Sequence, residues 1–235
     1  MAKKGLLLAL ALLLAFSLTA CGGSSYNFDE TDMHLVQFET PADDAPVAHV
    51  ATSMGDVWFV LYPDEAPVAC ENFMTLAGQG WYDGTEFFRI EPKTACIAGS
   101  KTTDGNTPTT IYNEEKFENE YTMNVWPFAG AVGTISNEDG KSDSRFFFIG
   151  DIPITDEYRS AMEQYGFPES VREKFDEVGG VPPFTQRYTI FGQIVKGMDV
   201  VDAINALETN DDQYPTGDPV VIESITLTTY GEIDA

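Results

Sequence analysis

The feature that most constrains the fold is a series of short apolar runs with alternating side chains, separated by Gly, Pro, Asn and Asp. The runs lie at 47–52, 57–62, 85–90, 130–136, 144–150, 188–195 and 220–230. Alternation over four to eight residues between turn residues predicts β-strands. Apolar residues at helical spacing occur early, from Pro67 to Gly78, and again late, from Gly197 to Leu207. This order predicts an antiparallel barrel, closed or nearly closed, with helices covering its ends.

One stretch interrupts the pattern of strands. Between residues 151 and 183, Thr155 is placed to cap one helix, and Pro168 to open a second that Gly179 and Gly180 would end. We therefore predict an inserted helical hairpin at 151–183.

The run from Thr85 to Gly99 holds a cation among aromatic residues. Alternation places Phe87 and Arg89 on one face of the predicted strand and Phe88 and Ile90 on the other. Arg89 could be an edge-strand side chain that reaches water or a carboxylate. It could instead be a fixed donor at the mouth of an apolar pocket. The residues of this stretch alone leave both interpretations open.

The first 20 residues have the pattern of a removable signal. Lys3 and Lys4 precede an apolar run, Leu6 to Phe16, which is too short for an ordinary membrane-spanning helix. Leu-Thr-Ala then precedes Cys21, which resembles the bacterial lipobox, in which the cysteine becomes the acylated first residue. We predict a signal peptide at 1–20, an acylated Cys21, a flexible tether at 21–46 and a folded domain at 47–232. The alternative is a plain secretory signal with a chance cysteine.

The chain is strongly acidic, with a formal net charge of −25. Removal of Lys3 and Lys4 with the signal would take this charge to −27, so binding to nucleic acid is not expected. Anionic lipid headgroups would also repel the domain, so the acyl anchor would hold it at the outer face of the cell membrane. The length fits one domain, which we expect to be monomeric.

The remaining cysteines, Cys70 and Cys96, are expected to be buried free thiols rather than a disulfide. The histidines are His34 and His49, and neither has a second His or Cys at ligand spacing. We therefore expect no metal site, and we expect no cofactor.

Four segments together identify a family. The first is GDVWFVLYPDEAPVACENFMTLAGQGWYDGTEFFRI, followed by AVGTIS, SRFFFIG and YTIFGQIVKGMDVVDAI. In this order they resemble the strands, helices and turns of the cyclophilins, and the resemblance extends from Val50 to about Leu227. It implies a closed eight-stranded antiparallel β-barrel capped by two helices. It also implies a peptidyl-prolyl cis-trans isomerase site on the outer face of the barrel, which acts on proline-containing polypeptides.

The resemblance assigns roles to two residues that match the family. Arg89 falls on the catalytic arginine, which directs a donor at the prolyl nitrogen. Phe147 falls on the phenylalanine that contacts the substrate proline.

Other positions of the substrate pocket depart from the family. Thr94, Ala95 and Ile97 replace the usual phenylalanine, methionine and glutamine, and Ile135 replaces an alanine. Phe184 and Tyr188 stand at a usual leucine and histidine. The function we predict is an isomerase that assists the folding of secreted or surface proteins, with activity reduced by these changes. The alternative is a non-catalytic module of the same fold that binds peptides or a partner protein.

Overall fold

The computed structural model describes residues 28–233. The predicted signal peptide and the predicted acylation site, Cys21, lie outside the described residues. Within the described range, no helix combines the length and apolar character needed to cross a bilayer.

Residues 28–233 form nine strands, four helices and three short 3-10 turns. The strands are β1 Pro46–Thr52, β2 Gly55–Leu61, β3 Arg89–Glu91, β4 Ala95–Ala98, β5 Phe117–Glu118, β6 Ala131–Ser136, β7 Lys141–Ile149, β8 Ile190–Lys196 and β9 Ile222–Thr229. The helices are α1 Pro67–Gly78, α2 Asp156–Gln164, α3 Glu169–Val178 and α4 Met198–Asn205. The 3-10 turns are Val36–Phe38, Pro182–Phe184 and Tyr230–Glu232.

The strands form one curled antiparallel sheet in the shape of a half-barrel. Neighbouring strands follow the order β3-β4-β7-β6-β8-β2-β1-β9, and β5 pairs with β7 beside this path. The two ends of the order approach each other, because Phe87 N donates to Val220 O at 2.9 Å and Gly84 N donates to Ile222 O at 2.8 Å. Both donors precede β3, and β3 itself is not paired with β9. The predicted eight-stranded closed barrel is therefore not confirmed, whereas a mainly β, antiparallel fold with helices is.

The concave side of the sheet holds most of the core, which we call the interior cluster. Its centre is a group of phenylalanines in mutual ring contact: Phe59, Phe73, Phe146, Phe148 and Phe191. Helices α1 and α4 cover this cluster, to which they contribute Phe73 and Val201. Pro67 begins α1 at the position where a missing N–H costs nothing.

The predicted helical hairpin consists of α2 and α3. Thr155 caps α2, because its hydroxyl accepts a hydrogen bond from Tyr158 N at 3.2 Å. The hairpin is closed at its base, where Gly180 N donates to Ile152 O at 2.8 Å. Gly179 has a φ of +80°, and a Cβ there would lie 2.2 Å from Ile152 O, so only glycine fits this junction. The chain thus leaves and re-enters the sheet region at nearly the same place.

Residues 28–46 pack against the domain, whereas we predicted a flexible tether that extends to residue 46. Phe28, Met33 and Leu35 join a third apolar cluster, which is built on Trp126 and the inner faces of α2 and α3. Gln37 Nε2 donates to Trp126 O at 2.9 Å, and Trp126 N donates to Gln37 Oε1 at 2.7 Å. This segment was missed because its few apolar residues show no helical or strand period.

Cys70 and Cys96 are buried free thiols, as predicted. Burial raises the pKa of Cys70 to about 12 and also raises the pKa of Cys96. Both groups are therefore neutral at physiological pH.

Candidate active site

The site is built on a row of residues that crosses five neighbouring strands. In the strand pairing, Arg89 on β3 is opposite Ile97 on β4, and Ile97 is opposite Phe147 on β7. Phe147 is opposite Gly133 on β6, which in turn is opposite Ile190 on β8. Directly paired residues project to the same face of a sheet. The pairing therefore places one cation at the end of an apolar row on the convex, outer face.

Alternation along β4 and β7 separates this face from the core. Cys96 and Phe148 belong to the interior cluster, whereas Ile97 and Phe147 belong to a second cluster on the other face. We call this second cluster the outer cluster. The period of two in SRFFFIG thus divides its three phenylalanines between the core and the site.

Gly133 makes room for the ring of Phe147. A Cβ at residue 133 would lie 2.3 Å from Phe147 Cζ, so the ring rests directly on the β6 backbone. Any side chain at position 133 would displace the ring, which fixes the orientation of Phe147 from below.

Two aromatic rings cover Phe147 from above. Phe184 lies 5.5 Å and Tyr188 lies 5.4 Å from its ring centroid, both close to edge-to-face. The ring centroids of Phe184 and Tyr188 lie 4.9 Å apart. As a result Phe147 is only 1% exposed, and Tyr188 is the partly exposed member of the three.

The other predicted pocket residues fall in two groups. Ala95 is buried in the outer cluster, and Ile135 packs against it from the partly exposed end of β6. Ile97 is 5% exposed. Thr94 belongs instead to the turn between β3 and β4, where its hydroxyl donates to Pro92 O at 3.4 Å and its carbonyl accepts from Gly150 N. The structure therefore brings Ala95, Ile97, Phe147, Phe184, Tyr188 and Ile135 together, and it places Thr94 at the margin.

Two polar side chains surround the guanidinium of Arg89. Gln213 Oε1 accepts from both Nε, at 2.9 Å, and Nη2, at 2.5 Å. Glu91 Oε1 lies 3.5 Å from Nη2. The Arg89 side chain is 41% exposed, so the guanidinium is held on one side and open to solvent on the other.

The carboxylate of Glu91 is largely withdrawn from water. Burial raises its pKa above the ordinary value, and the positive charges of Arg89 and Arg187 oppose that rise. Burial also raises the pKa of Tyr188. Arg187 lies over the Tyr188 ring, with its guanidinium carbon 5.2 Å from the centroid. The site thus combines two cations with one buried anion.

The predicted alternation of residues 87–90 is wrong. Phe87 and Ile90 both belong to the interior cluster, and Phe88 belongs to the outer cluster. The reason is a change of partner: residue 86 bridges to Val221, whereas the pairing with β4 begins only at Arg89. The irregular residues 87 and 88 between these two pairings shift the phase of the alternation.

Gln213 and Glu91 were not predicted as site residues. Glu91 had a signal, since it lies two positions after Arg89 and therefore faces the same side of a strand. Gln213 had none, because it lies in a polar loop 124 residues along the chain from Arg89. Among residues 28–233, no group of three or more His, Cys, Asp or Glu side chains is arranged to bind a metal ion.

Comparison with known proteins identifies the family of the chain. Residues 47–227 match the family model for cyclophilin type peptidyl-prolyl cis-trans isomerase. A Staphylococcus epidermidis protein named "Putative peptidyl-prolyl cis-trans isomerase" is 32% identical over 174 residues, which cover 74% of this chain and 87% of the relative. A Streptococcus pyogenes protein named "Putative bifunctional phosphatase/peptidyl-prolyl cis-trans isomerase" is 32% identical over 200 residues. That match covers 83% of this chain but only 42% of the longer relative.

Solved structures share the fold. The crystal structure of a Cryptosporidium parvum cyclophilin type peptidyl-prolyl cis-trans isomerase aligns with a TM-score of 0.62 and 20% identity. The alignment covers 79% of this chain and 98% of that one. The same parasite protein was also solved in the presence of the dipeptide Ala-Pro. With the family model spanning most of its length, this chain belongs to the cyclophilin-type peptidyl-prolyl cis-trans isomerases.

Proposed function

We propose that the chain isomerises X-Pro peptide bonds with Arg89 as the donor to the prolyl nitrogen. The observation that carries this proposal is the row from Arg89 to Phe147, in which a half-exposed guanidinium borders an aromatic cluster. The Ala-Pro dipeptide in the structure of the parasite relative supports proline-containing peptides as the substrate class.

The chemistry needs no covalent step. Amide resonance gives the X-Pro bond a rotation barrier of roughly 20 kcal/mol. A donor directed at the prolyl nitrogen withdraws its lone pair from resonance and stabilises the twisted state more than either planar state. Arginine suits this role because it stays charged and its planar fork keeps a fixed direction.

Binding of the proline ring would require a rearrangement of the aromatic cover. Phe147 is nearly inaccessible under Phe184 and Tyr188. Tyr188 is the partly exposed ring, so we propose that it turns aside when the substrate proline enters. The proline would then occupy the space between Phe147 and Arg89.

The same burial favours a second candidate, a module that binds peptides without catalysis. Ile97 offers an apolar surface beside Arg89 and has no group that donates to a peptide carbonyl. Loss of such a donor costs about 1–3 kcal/mol if the carbonyl is buried. That cost weakens catalysis but does not remove it while Arg89 is present.

We also propose where the protein acts. The signal-like residues 1–20 and the lipobox-like cysteine at 21 support export and attachment to the outer face of the cell membrane. Secreted and surface polypeptides would then be the substrates, as they fold.

The test is isomerisation of a proline-containing peptide in a protease-free assay, with wild type, Arg89→Ala and the control Arg159→Ala. Arg159 is an exposed arginine of α2 that pairs with Asp156 and Asp176. We expect Arg89→Ala to lower kcat/KM by roughly 100-fold, the effect of removing one transition-state donor. Arg159→Ala should retain full activity.

Two other outcomes would decide against this mechanism. Equal catalysis in wild type and Arg89→Ala would exclude Arg89 as the donor. A wild type that shows only the spontaneous rate but still binds the peptide would identify the non-catalytic module instead.

A further inference from the structure

We infer that Gln213 positions Arg89 for catalysis, taking a role that no residue of the β3–β4 hairpin fills in this chain. The inference rests on the proposed function, since it concerns the direction of the Arg89 donor. Gln213 would act through Arg89 and would not touch the substrate.

The hydrogen bonds between the two side chains support this role. One oxygen, Gln213 Oε1, accepts from both Nε and Nη2 of Arg89, which fixes the plane of the guanidinium as well as its position. No hydrogen bond within residues 28–233 engages Nη1 of Arg89. Nη1 is therefore the guanidinium nitrogen that remains for a substrate.

Gln213 itself is held in an unusual backbone conformation. Its φ is +66°, in the left-handed region that a glutamine rarely adopts. The Asn210 side chain stabilises this turn, because its Oδ1 accepts from Asp212 N and Tyr214 N, both at 3.0 Å. The strained position is thus fixed by the surrounding loop, as is common where backbone strain serves function.

The loop is also attached to the strand that carries Arg89. Ile90 N donates to Gln213 O at 2.9 Å, so the loop lies along the outer edge of β3. The backbone of Gln213 therefore bonds to β3 next to Arg89, and its side chain bonds to Arg89 itself.

The sequence of the hairpin explains why a residue from elsewhere is needed. Ile97 is the direct cross-strand partner of Arg89, and its side chain has no acceptor. Glu91 is an acceptor, but its negative charge weakens the electrostatic attraction of Arg89 for a substrate. A neutral amide fixes the guanidinium without adding a second negative charge beside it.

The experiment measures isomerisation by the full-length protein, purified in detergent, with wild type, Gln213→Asn and Gln213→Ala. Asparagine tolerates a positive φ, but its amide is one methylene too short to reach Arg89. We expect both variants to lower kcat by about tenfold, equivalent to about 1.4 kcal/mol of transition-state stabilisation, with KM changed less than twofold. The control is Gln164→Ala, an exposed glutamine at the end of α2, which should behave as wild type.

A rescue variant separates positioning from a structural role. Directly paired side chains have Cβ atoms roughly 4.5–5.5 Å apart, so a glutamine at position 97 could reach Arg89 from the neighbouring strand. Ile97→Gln combined with Gln213→Asn should therefore recover most of the lost kcat. Ile97→Gln alone is measured beside it, because a glutamine at position 97 could also donate to a peptide carbonyl. If the added glutamine positions Arg89, it should raise kcat by a larger factor in Gln213→Asn than in wild type. The thermal midpoints of both Gln213 variants and of the double variant, measured in parallel, verify that each one is folded.

The outcomes distinguish the inference from the proposed function. An active wild type with unchanged kcat in Gln213→Asn and Gln213→Ala overturns the inference and leaves Arg89 as the donor. The inference is also overturned if the double variant is folded but Ile97→Gln does not restore the kcat that Gln213→Asn has lost. An acceptor at position 97 should position Arg89 as Gln213 does. A wild type no faster than Arg89→Ala overturns both.

Discussion

At the residue scale, the site places one cation between a neutral acceptor and an anionic one. Gln213 binds the guanidinium of Arg89 directly, whereas Glu91 approaches only to 3.5 Å and is largely buried. A buried carboxylate loses hydration, and the nearby charges of Arg89 and Arg187 replace it only in part. The charged form of Glu91 is therefore disfavoured in the folded protein.

The raised pKa of Glu91 leads to a prediction about stability and pH. The folded protein binds the Glu91 proton more tightly than the unfolded chain does. The stabilising contribution is therefore complete below the unfolded pKa, and it is lost as pH rises through the raised folded pKa. Glu91→Gln keeps this side chain neutral, so the variant should match wild type near pH 4 and exceed it at pH 7.

Denaturant unfolding of both proteins across this range provides the measurement. Every other carboxylate titrates in both proteins, so the difference isolates Glu91. A gap in unfolding free energy that is the same at pH 4 and pH 7 would show that burial of the charge is not the cause.

Residues of the candidate site were easier to predict when their contacts lie close to them in the sequence. Arg89 and Phe147 were found through a resemblance to a family, and the strand pairing then placed them in one row. The phase of residues 87–90 was wrong, because a change of strand partner cannot be seen in local alternation. Gln213 was missed because its contact with Arg89 depends on how a distant loop folds back.

At the scale of elements, the helices were predicted better than the segment before β1. Pro67, Thr155 and Gly179 signal helix ends through local chemistry, and the structure has helix ends at those places. Residues 28–45 have no such signals. Tertiary contacts hold this segment in place instead. Val36 packs on the outer cluster, and the ring centroids of Phe38 and Phe128 lie 5.0 Å apart.

Gln37 is the polar contact through which this segment can be tested. Its amide satisfies both the N–H and the carbonyl of Trp126, and it donates to Gln193 Oε1 at 2.7 Å. Gln37→Ala would leave the Trp126 N–H and Gln193 Oε1 without their partner, at a cost of about 1–3 kcal/mol, whereas Trp126 O would still accept from Phe128 N. In a domain of this size we expect a fall in thermal midpoint of roughly 2–4 °C per kcal/mol.

The matched control is again Gln164→Ala, which removes the same side chain from an exposed helix surface. Equal thermal midpoints for wild type, Gln37→Ala and Gln164→Ala would mean that residues 28–45 contribute little to stability, as a tether would.

At the scale of the whole molecule, three apolar clusters stabilise different parts of the fold. The interior cluster holds the sheet and helices α1 and α4 together, and the outer cluster contains the aromatic residues of the candidate site. The third cluster joins the inserted hairpin to the segment before β1 and includes Trp126. Val181 N donates to Pro127 O at 2.9 Å. This bond attaches the chain between α3 and Phe184 to the residue that follows Trp126. We expect the insertion to support the aromatic cover of the site.

The net charge of the whole molecule bears on the last prediction, which concerns attachment to the membrane. If residues 1–20 are removed on export, as proposed, the formal charge is −27, which gives no electrostatic attraction to anionic lipid. Attachment would then depend on acyl chains at Cys21, each contributing roughly 0.8 kcal/mol per buried methylene. Cys21→Ala should therefore move the protein from the membrane fraction to the soluble exported fraction, whereas Cys70→Ala, which changes a buried thiol, should leave it at the membrane. Washing with concentrated salt should not release wild type, because salt screens charges but does not weaken acyl insertion. If Cys21→Ala still sediments with membranes after its signal is removed, some contact other than an acyl anchor holds the protein there.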